Sequence, residues 1–462
     1  MIPLSPPLIR LIEHLSSHGI KPVLVGGFVR DTFTGHLTHD IDIELYGVTS
    51  IESLETLLTP FGKLGLYGKS FGVLKLSYGE YSIDFSPPRT ESKHGFGHKG
   101  FEMVWFNSLD FTEAARRRDF TINAIGYDPL TQTLLDPFGG VDDLKNKRLR
   151  CVDPHTFVDD PLRVLRAVQF AARYELTCDQ ELLVLCRKMI AEGAFDELPK
   201  ERIFEEFKKL LLQSTHPSIG MELLREMGGL RFFAPLDRFE DTPQERTSHP
   251  EGSVWIHTLM AIDTMASMRT GEWQKDMALL LAVLLHDIGK PDTTIIENGI
   301  LNAPKHAGMG VEIAQVWLNR ITEDKALVAR ILPLIRYHGQ PRKLYQAKAN
   351  DREILNLSTH VCIDDLILVA KADFFGRAFN GEKPKRYEAG EWLRERADAL
   401  GVLFEPPSPL LMGRDLIGLG LTPSEKFKTI LENAYNAQLD QEFNTHDQAL
   451  KWLNFCLKSD KL

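Results

Sequence analysis

Two aspartates one residue apart, Asp40 and Asp42 in HDIDIEL, are the residues of this 462-residue chain whose type and spacing most directly suggest chemistry. Residues i and i+2 of a strand project from one face, so the two carboxylates converge while Ile41 and Ile43 turn to the core. Convergent carboxylates suit a hard cation such as Mg²⁺, held by one or two of them together with substrate phosphates. A two-metal site of this kind can stabilise both the attacking and the leaving oxygen of a displacement. Asp84, in YSIDF, has the same parity on a neighbouring arm and offers a third carboxylate. Upstream, Gly26 and Gly27 stand between the strand-like PVLV and a helix. Glycines there let backbone N–H groups approach phosphate oxygens, and the helix amino terminus adds partial positive charge. No Gly-Lys-Ser or Gly-Lys-Thr follows and the GxGxxG spacing is missing, which excludes a Walker loop and a dinucleotide fingerprint. Taken alone, alternating Asp and Ile describes any half-exposed strand; what singles this one out is its place one helix after Gly-Gly-x-Val-Arg-Asp.

That order resembles the signature of the nucleotidyltransferase superfamily that includes the DNA polymerase β-like enzymes. It implies nucleotidyl transfer from a nucleoside triphosphate, with Asp40, Asp42 and Asp84 as catalytic carboxylates and Gly26, Gly27 and Arg30 as nucleotide contacts. Three further strings narrow the family: RRRDFTINAIGYDP from Arg116 to Pro129, then DPFGGVDDL, then FVDDPLRVLRAVQFAARYE. Together they resemble the class II tRNA nucleotidyltransferases, the CCA-adding enzymes and their poly(A) polymerase relatives. The similarity is dense from Gly26 to about Lys209 and looser beyond.

The resemblance gives Arg117, Arg118 and Asp119 the family's ribose-contacting role, which discriminates NTP from dNTP; an Asp accepting from a ribose hydroxyl beside a phosphate-directed Arg is physically sound. A surface ion-pair cluster is the plainer alternative. The family's Glu-Asp-x-x-Arg element reads the Watson-Crick edge of the incoming C or A, and matches Asp159, Asp160 and Arg163 here. Spacing i to i+3 would put Asp160 and Arg163 on one helix face, an acceptor beside a forked donor. An ion pair at a helix start, with Asp as cap, is equally compatible with that spacing. Asp159 replaces the usual Glu, Gln169 a more usual Arg, and Ala114 an acidic residue. LPKERIFEEFKKLL, with Glu201 and Arg202, resembles the family's neck.

Further on, VWIHTLM with His257, LLHDIGKP with His286 and Asp287, RYHGQP with His338, and KADFFGR with Asp373 occur in order. They resemble the HD metal-dependent phosphohydrolase superfamily. By that resemblance His257, His286, Asp287 and Asp373 hold a divalent metal, of the transition series given imidazole ligands, and activate water. His306 and His338 are expected as further contacts. Any one of these histidines alone would more often be an ordinary core or surface residue. The implied activities are 2′,3′-cyclic phosphodiesterase, phosphatase and 2′-nucleotidase.

The elements that must carry these residues follow from patterning. The first third reads as mixed α/β: an amphipathic helix over about Pro7 to His18, a strand at Pro22 to Val25, a second helix, the strand IDIEL, and a hairpin turning near Tyr78-Gly79-Glu80. Pro87 to Gly100 reads as a flexible loop, which in the resembled family assists the switch from C to A addition. From Asp159 onward the pattern is helical, broken by the polar Asp237 to Ser253 and by EPPSPL at Glu405 to Leu410. The expected architecture is an α/β polymerase β-like nucleotidyltransferase head (1–145), a helical neck with the nucleobase-reading helix (146–236), an HD-type body (237–404) and a helical tail (405–462) that by resemblance grips tRNA. Gly418 and Gly420 precede a tail helix and suit either a phosphate approach or a plain turn.

The net charge of −10 counts against a nucleic-acid partner, yet Arg116-Arg117-Arg118 and Lys208-Lys209 permit a local basic face. No run of about 18 apolar residues and no secretory layout is present, so no membrane partner and a cytoplasmic location are expected. The five cysteines are odd in number and never in CxxC spacing, which argues for reduced, buried thiols.

The leading expectation is template-independent addition or repair of the 3′-terminal CCA of tRNA from CTP and ATP with Mg²⁺, plus HD phosphohydrolase activity. Within the class the alternatives are an A-adding or CC-adding specialist and a poly(A) polymerase. Outside it they are a chain acting chiefly as an HD phosphohydrolase, or a non-catalytic tRNA-binding factor.

Overall fold

The amphipathic stretch that opens the chain folds as α1 (Pro6–Ser17), with a proline in its first turn and Leu8, Leu11, Ile12 and Leu15 buried. The structure, a computed structural model, describes residues 2–35, 38–67, 73–93, 101–105, 109–379 and 381–458. It divides into two units, Met1–Phe233 and Ala234–Leu462.

In the first unit β1 (Lys21–Val25), α2 (Gly26–Thr34), β2 (Asp40–Tyr46), α3 (Ile51–Leu58), β3 (Lys63–Tyr67), β4 (Val73–Tyr78), β5 (Tyr81–Ser86), β6 (Arg89–Lys93), β7 (Phe101–Trp105), α4 (Phe111–Arg116), β8 (Gly126–Asp128) and β9 (Thr133–Leu135) follow in order. Seven strands form one sheet in the order β3-β4-β5-β2-β1-β8-β9. Only the β2–β5 pair in it is parallel, with Asp42 directly opposite Asp84. Alternation works as expected: Ile41, Ile43, Ile83 and Phe85 are buried at 1% exposure or less. Each such side chain contributes roughly 1.5–3 kcal/mol of burial, and together they fix which face the aspartates occupy.

The segment from Pro87 to Gly100 is not one loop. Arg89–Lys93 is a strand paired antiparallel with Phe101–Trp105; residues 94–100 lie outside the described residues. Backbone pairing captured a Gly-poor half of a stretch whose average composition pointed to a loop.

The helical part of this unit comprises α5 (Gly140–Lys145), β10 (Arg148–Leu149), α6 (Pro154–Phe157), α7 (Leu162–Tyr174), β11 (Thr177–Cys178), α8 (Gln180–Ala191), α9 (Lys200–Gln213) and α10 (Pro217–Glu226). The strongly amphipathic α7 packs against α9 and α10. It begins only after Pro161, because a residue preceding proline is steered away from helical backbone. Asp160 therefore lies outside the helix, and Asp160 and Arg163 do not share a helix face as expected.

The second unit is helical: α11 (Val254–Ser267), α12 (Trp273–Leu285), α13 (Lys290–Thr293), α14 (His306–Ile321), α15 (Lys325–Tyr337), α16 (Gln340–Ala347), α17 (Asp351–Ser358), α18 (Ile363–Phe375), α19 (Glu388–Ala399), α20 (Gly413–Gly418), α21 (Lys426–Leu439) and α22 (His446–Lys458). One small hairpin, β12 (Ile295–Glu297) with β13 (Ile300–Asn302), interrupts the pattern. No described helix is long and apolar enough to cross a membrane. Among the described residues no cysteine is in a disulfide; Cys186 and Cys456 are buried, whereas Cys151, Cys178 and Cys362 are only half-buried, which corrects the expectation of uniformly buried thiols.

Candidate functional sites

The carboxylates of the first unit share one sheet face. Asp40 and Asp42 project from β2, Asp84 from β5, and Lys75 of β4 stands opposite Asp84 with its Nζ 3.3 Å from Asp84 Oδ1. Asp42 keeps access to solvent, but partial desolvation in the cleft pushes its carboxyl pKa up, against the pull of Arg118 and with the help of Asp84 and Asp40. Like charges held together this way are relieved by a divalent cation, and the all-oxygen donor set fits a hard one.

Gly26 opens α2 beside this cluster. Its φ is +70° and a Cβ on it would lie 2.5 Å from Asp42 Oδ2, so no L side chain fits without displacing the carboxylate. Gly27 follows in the first turn, where unpaired backbone N–H groups are available.

A fourth carboxylate, overlooked in the sequence, lies on the same face of β2. Glu44 is 0% exposed, pairs with Arg117 Nη2 at 3.4 Å and Arg118 Nη2 at 3.6 Å, and accepts from Tyr46 Oη at 3.3 Å. It continues the Asp40, Asp42 period, and that parity was the available signal. Glu44→Gln removes the anion between two arginines, so we expect a loss of about 2–3 kcal/mol, under the range for fully buried pairs because both guanidiniums reach solvent. Thermal unfolding and the KM for CTP check this: a lowered Tm with a raised KM is expected, and wild-type values for both would refute it.

Arg30 and Asp119 are buried in one network. Arg30 donates Nε–H to Asp31 at 2.8 Å and Nη1–H to Asn123 Oδ1 at 2.5 Å, with its guanidinium 4.6 Å from the Tyr174 ring centroid. Asn123 donates to Asp119 Oδ1 at 2.9 Å, as does the Phe120 N–H, and Arg166 Nε donates to Asp119 Oδ2 at 2.6 Å. Burial would raise the Asp119 carboxyl, but Arg166 and these donors outweigh it and hold it below the usual carboxylate range. The network binds α2, the Arg-Arg-Asp segment and α7 together. Asn123 and Arg166 were not singled out from sequence, although both lie inside the strings that were.

Asp160 caps α7, accepting from the Leu162 N–H at 3.1 Å, and takes Arg202 Nη2 at 3.1 Å. Arg163 instead donates to the carbonyls of Thr156 and Arg117, each at 2.7 Å. The cap half of the plainer alternative is present and the ion-pair half is not. Gln169 is 1% exposed and accepts from Arg173 at 3.1 Å.

The second unit gathers six residues dispersed over 117 positions of sequence, from His257 to Asp373. His286 and His338 cap the carboxyl ends of α12 and α15, and each directs Nδ1 at a last-turn carbonyl: Val283 O at 2.7 Å and Ile335 O at 2.8 Å. His306 does the same to Ala303 O at 2.8 Å. A carbonyl can only accept, so each Nδ1 carries the proton and each Nε2 presents a lone pair. His257 Nδ1 lies 3.0 Å from Glu251 Oε1, which fixes the same tautomer.

These bare nitrogens face one another. His257 Nε2 is 3.2 Å from His286 Nε2 and 3.2 Å from Asp373 Oδ1; His306 Nε2 is 3.4 Å from His338 Nε2 and 3.6 Å from Asp287 Oδ1. Asp287 Oδ2 stands 3.2 Å from His286 Nε2, so this carboxylate lies between the two groups. Imidazole nitrogens and carboxylate oxygens converging this closely suit a cation, and His257-His286-Asp373 and Asp287-His306-His338 each satisfy metal-ligand spacing. Burial pushes His338 down to about 4, which keeps it neutral; against their own burial, Asp287 is held well below the usual carboxylate range by His286 and Lys290, and Asp373 by His257 and Arg377. Gly376 makes the approach possible: a Cβ there would lie 2.3 Å from Ala261 Cα, so α18 and α11 cross in direct contact.

Lys290 pairs with Asp287 at 2.7 Å and Arg377 with Asp373 at 2.9 Å. His249 and Glu251 come from the polar stretch Asp237 to Ser253, read from sequence as a break. It belongs to the site: Glu251 takes both His249 Nδ1 and His257 Nδ1 at 3.0 Å. Such a loop has no periodicity to reveal it.

Residues 23–150 match the poly A polymerase head domain, residues 177–236 the probable RNA and SrmB-binding site of polymerase A, and residues 254–375 the HD domain. The multifunctional CCA protein of Nitrosococcus oceani is 33% identical over 382 residues, covering 80% of this chain and 88% of that one. That of Alkalilimnicola ehrlichii is 32% identical over 385 residues, covering 81% and 88%. Among solved structures, the CCA-adding enzyme of Bacillus stearothermophilus in complex with CTP superposes with a TM-score of 0.65 at 19% identity, over 99% of each chain. The Thermotoga maritima CCA-adding enzyme complexed with tRNA has a TM-score of 0.59 at 20% identity, over 98% of this chain and 96% of that one. At these identities the two structures speak to the fold.

Proposed function

The chain belongs to the multifunctional CCA proteins, class II CCA-adding enzymes that carry an HD domain, and from that premise we propose how its two sites divide the work. It adds or repairs the 3′-terminal CCA of tRNA from CTP and ATP. The observation that carries the residue assignment is Asp42 in register with Asp84, on the sheet face that Gly26 leaves open to it.

In this reading Asp40, Asp42 and Asp84 hold Mg²⁺, which supplies charge neutralisation at the transferring phosphate. The N–H groups at the start of α2 take triphosphate oxygens, and Arg117 and Arg118, set by Glu44, face the nucleotide. Arg30 and Asp119 act by holding the cleft's walls together. Asp160 and Arg163, tethered by Arg202 and by the Arg117 carbonyl, are the base-reading pair. The tRNA 3′-hydroxyl attacks the α-phosphorus, the bond to the bridging oxygen breaks, and pyrophosphate leaves.

In the second unit His257, His286, Asp287 and Asp373, with His306 and His338, hold divalent metal of the transition series, which supplies a Lewis acid and an activated water. The chain's part is to aim four Nε2 lone pairs inward and to place Lys290 and Arg377 beside the ligand carboxylates. The reaction is phosphoester hydrolysis: water adds to phosphorus, one P–O ester bond breaks, and the departing oxygen takes a proton. The fourfold division at 145, 236 and 404 and a cytoplasmic location complete the proposal; the matched head, RNA-binding and HD segments support the division.

The test supplies tRNAs ending before CCA, after C and after CC with CTP, ATP or both, and resolves products at single-nucleotide resolution. Complete CCA synthesis is expected. Addition of A alone to the CC-ending tRNA would make the enzyme a specialist, and no addition would leave phosphohydrolysis as its activity.

A further inference from the structure

Four of the HD ligands, Asp287, His306, His338 and Asp373, line a cavity of about 320 Å³, near the lower end of the roughly 300–1,000 Å³ of small-ligand sites. It is large enough for one nucleotide; a longer strand must leave over the rim. Its apolar wall is Phe374 and Tyr387, ring centroids 5.0 Å apart.

The cations around it fall into two sets. Lys290 and Arg377 lie deep, with side chains 12% and 13% exposed, and each is committed to a ligand carboxylate. Arg342 and Lys343 also line the cavity but are exposed, and among the described residues neither has a carboxylate partner. Both sit in the first turns of α16, which begins two residues after His338, so one short stretch of backbone fixes their distance from the metal ligands. Tyr345, on the same helix, donates to Glu388 at 3.2 Å and anchors α16 to α19. Two cations without a carboxylate partner at the mouth of this cavity, on the helix that follows His338, offer an anion site beside the metal ligands.

We propose that Arg342 and Lys343 hold the internucleotide phosphate 5′ of the terminal nucleotide, so that the HD site acts on the 3′ end of an RNA strand in preference to a free nucleotide. This rests on the phosphohydrolase reading above and adds the polymer to it.

The experiment compares wild type with R342A/K343A, using 2′,3′-cyclic CMP and a trinucleotide ending in the same cyclic phosphate. The expected result is a wild-type preference for the trinucleotide, and a roughly 10-fold fall in the ratio of the two kcat/KM values in the variant, carried by KM. The salt dependence for the trinucleotide should flatten by about 0.7 in log–log slope for each phosphate that the variant no longer neutralises. The R342K/K343R variant should retain the preference. Anisotropy of a 5′-labelled trinucleotide ending in a 3′-hydroxyl, which has no terminal phosphate to hydrolyse, reads binding without turnover and should weaken in parallel. An unchanged ratio, or equal losses on both substrates, would overturn the inference while leaving the phosphohydrolase reading in place. Hydrolysis of neither substrate by wild type would remove that reading and the inference together.

Discussion

Asp42→Asn lowers CCA addition by at least about 10³-fold, the upper end of what loss of one preorganised electrostatic group costs. The side chain keeps its shape and loses only the charge that a cation needs. Because partial desolvation and the neighbouring Asp84 and Asp40 push the Asp42 carboxyl up, the fold favours its neutral form. A raised carboxyl contributes stability below its unfolded value and loses it as pH rises through the folded value. Without Mg²⁺ at neutral pH, the Asn variant should therefore melt no lower than wild type while being inactive in addition. Differential scanning calorimetry beside the extension assay gives both readings. A variant that adds nucleotides at wild-type rate would remove Asp42 from the site, and one that loses activity through a large fall in Tm would show only damage to the fold. Hydrolysis of 2′,3′-cyclic CMP by the same preparation should persist, since its ligands are on other elements.

His338→Ala produces the complementary result. His338 is 6% exposed and, pushed down to about 4 by burial and by His286, is a neutral imidazole at physiological pH, so its removal changes no charge. It leaves a small cavity beside Asp287 and takes one of four converging lone pairs. Replacing a group that merely orients a ligand typically costs about 10–100-fold in metal affinity or activity, and a direct ligand should cost at least that. Metal content after dialysis and hydrolysis of 2′,3′-cyclic CMP should both fall, with CCA addition retained. Asp287→Asn is the harsher variant: it strands Lys290 beside a neutral amide and risks about 3–5 kcal/mol of destabilisation. Full metal occupancy and hydrolysis in His338→Ala would restrict the site to the remaining ligands.

The catalytic face of the head was legible in the amino-acid order because a strand's period of two is local. Asp40, Asp42 and Asp84 follow from alternation with Ile41, Ile43, Ile83 and Phe85, and those apolar partners are buried in the structure. Glu44 has the same parity, yet its role depends on arginines more than 70 residues downstream, and strand periodicity carries no information about them. The helical pattern read from Asp159 onward begins in the structure only at Leu162, three residues later, since helical spacing outweighed the proline that forbids it. For the HD ligands, residue types and order were visible one short string at a time. Their convergence arises from the ends of α12 and α15, whose carbonyls orient His286 and His338, from Ala303 O and Glu251 beside His306 and His257, and from the α11–α18 contact that Gly376 permits. Glu251 and the cations Arg342 and Lys343 lie in stretches with no chemical pattern of their own. Local order specifies which side of an element a residue occupies; only packing decides which charges remain unpaired beside a cavity, because those depend on neighbours brought from elsewhere in the chain.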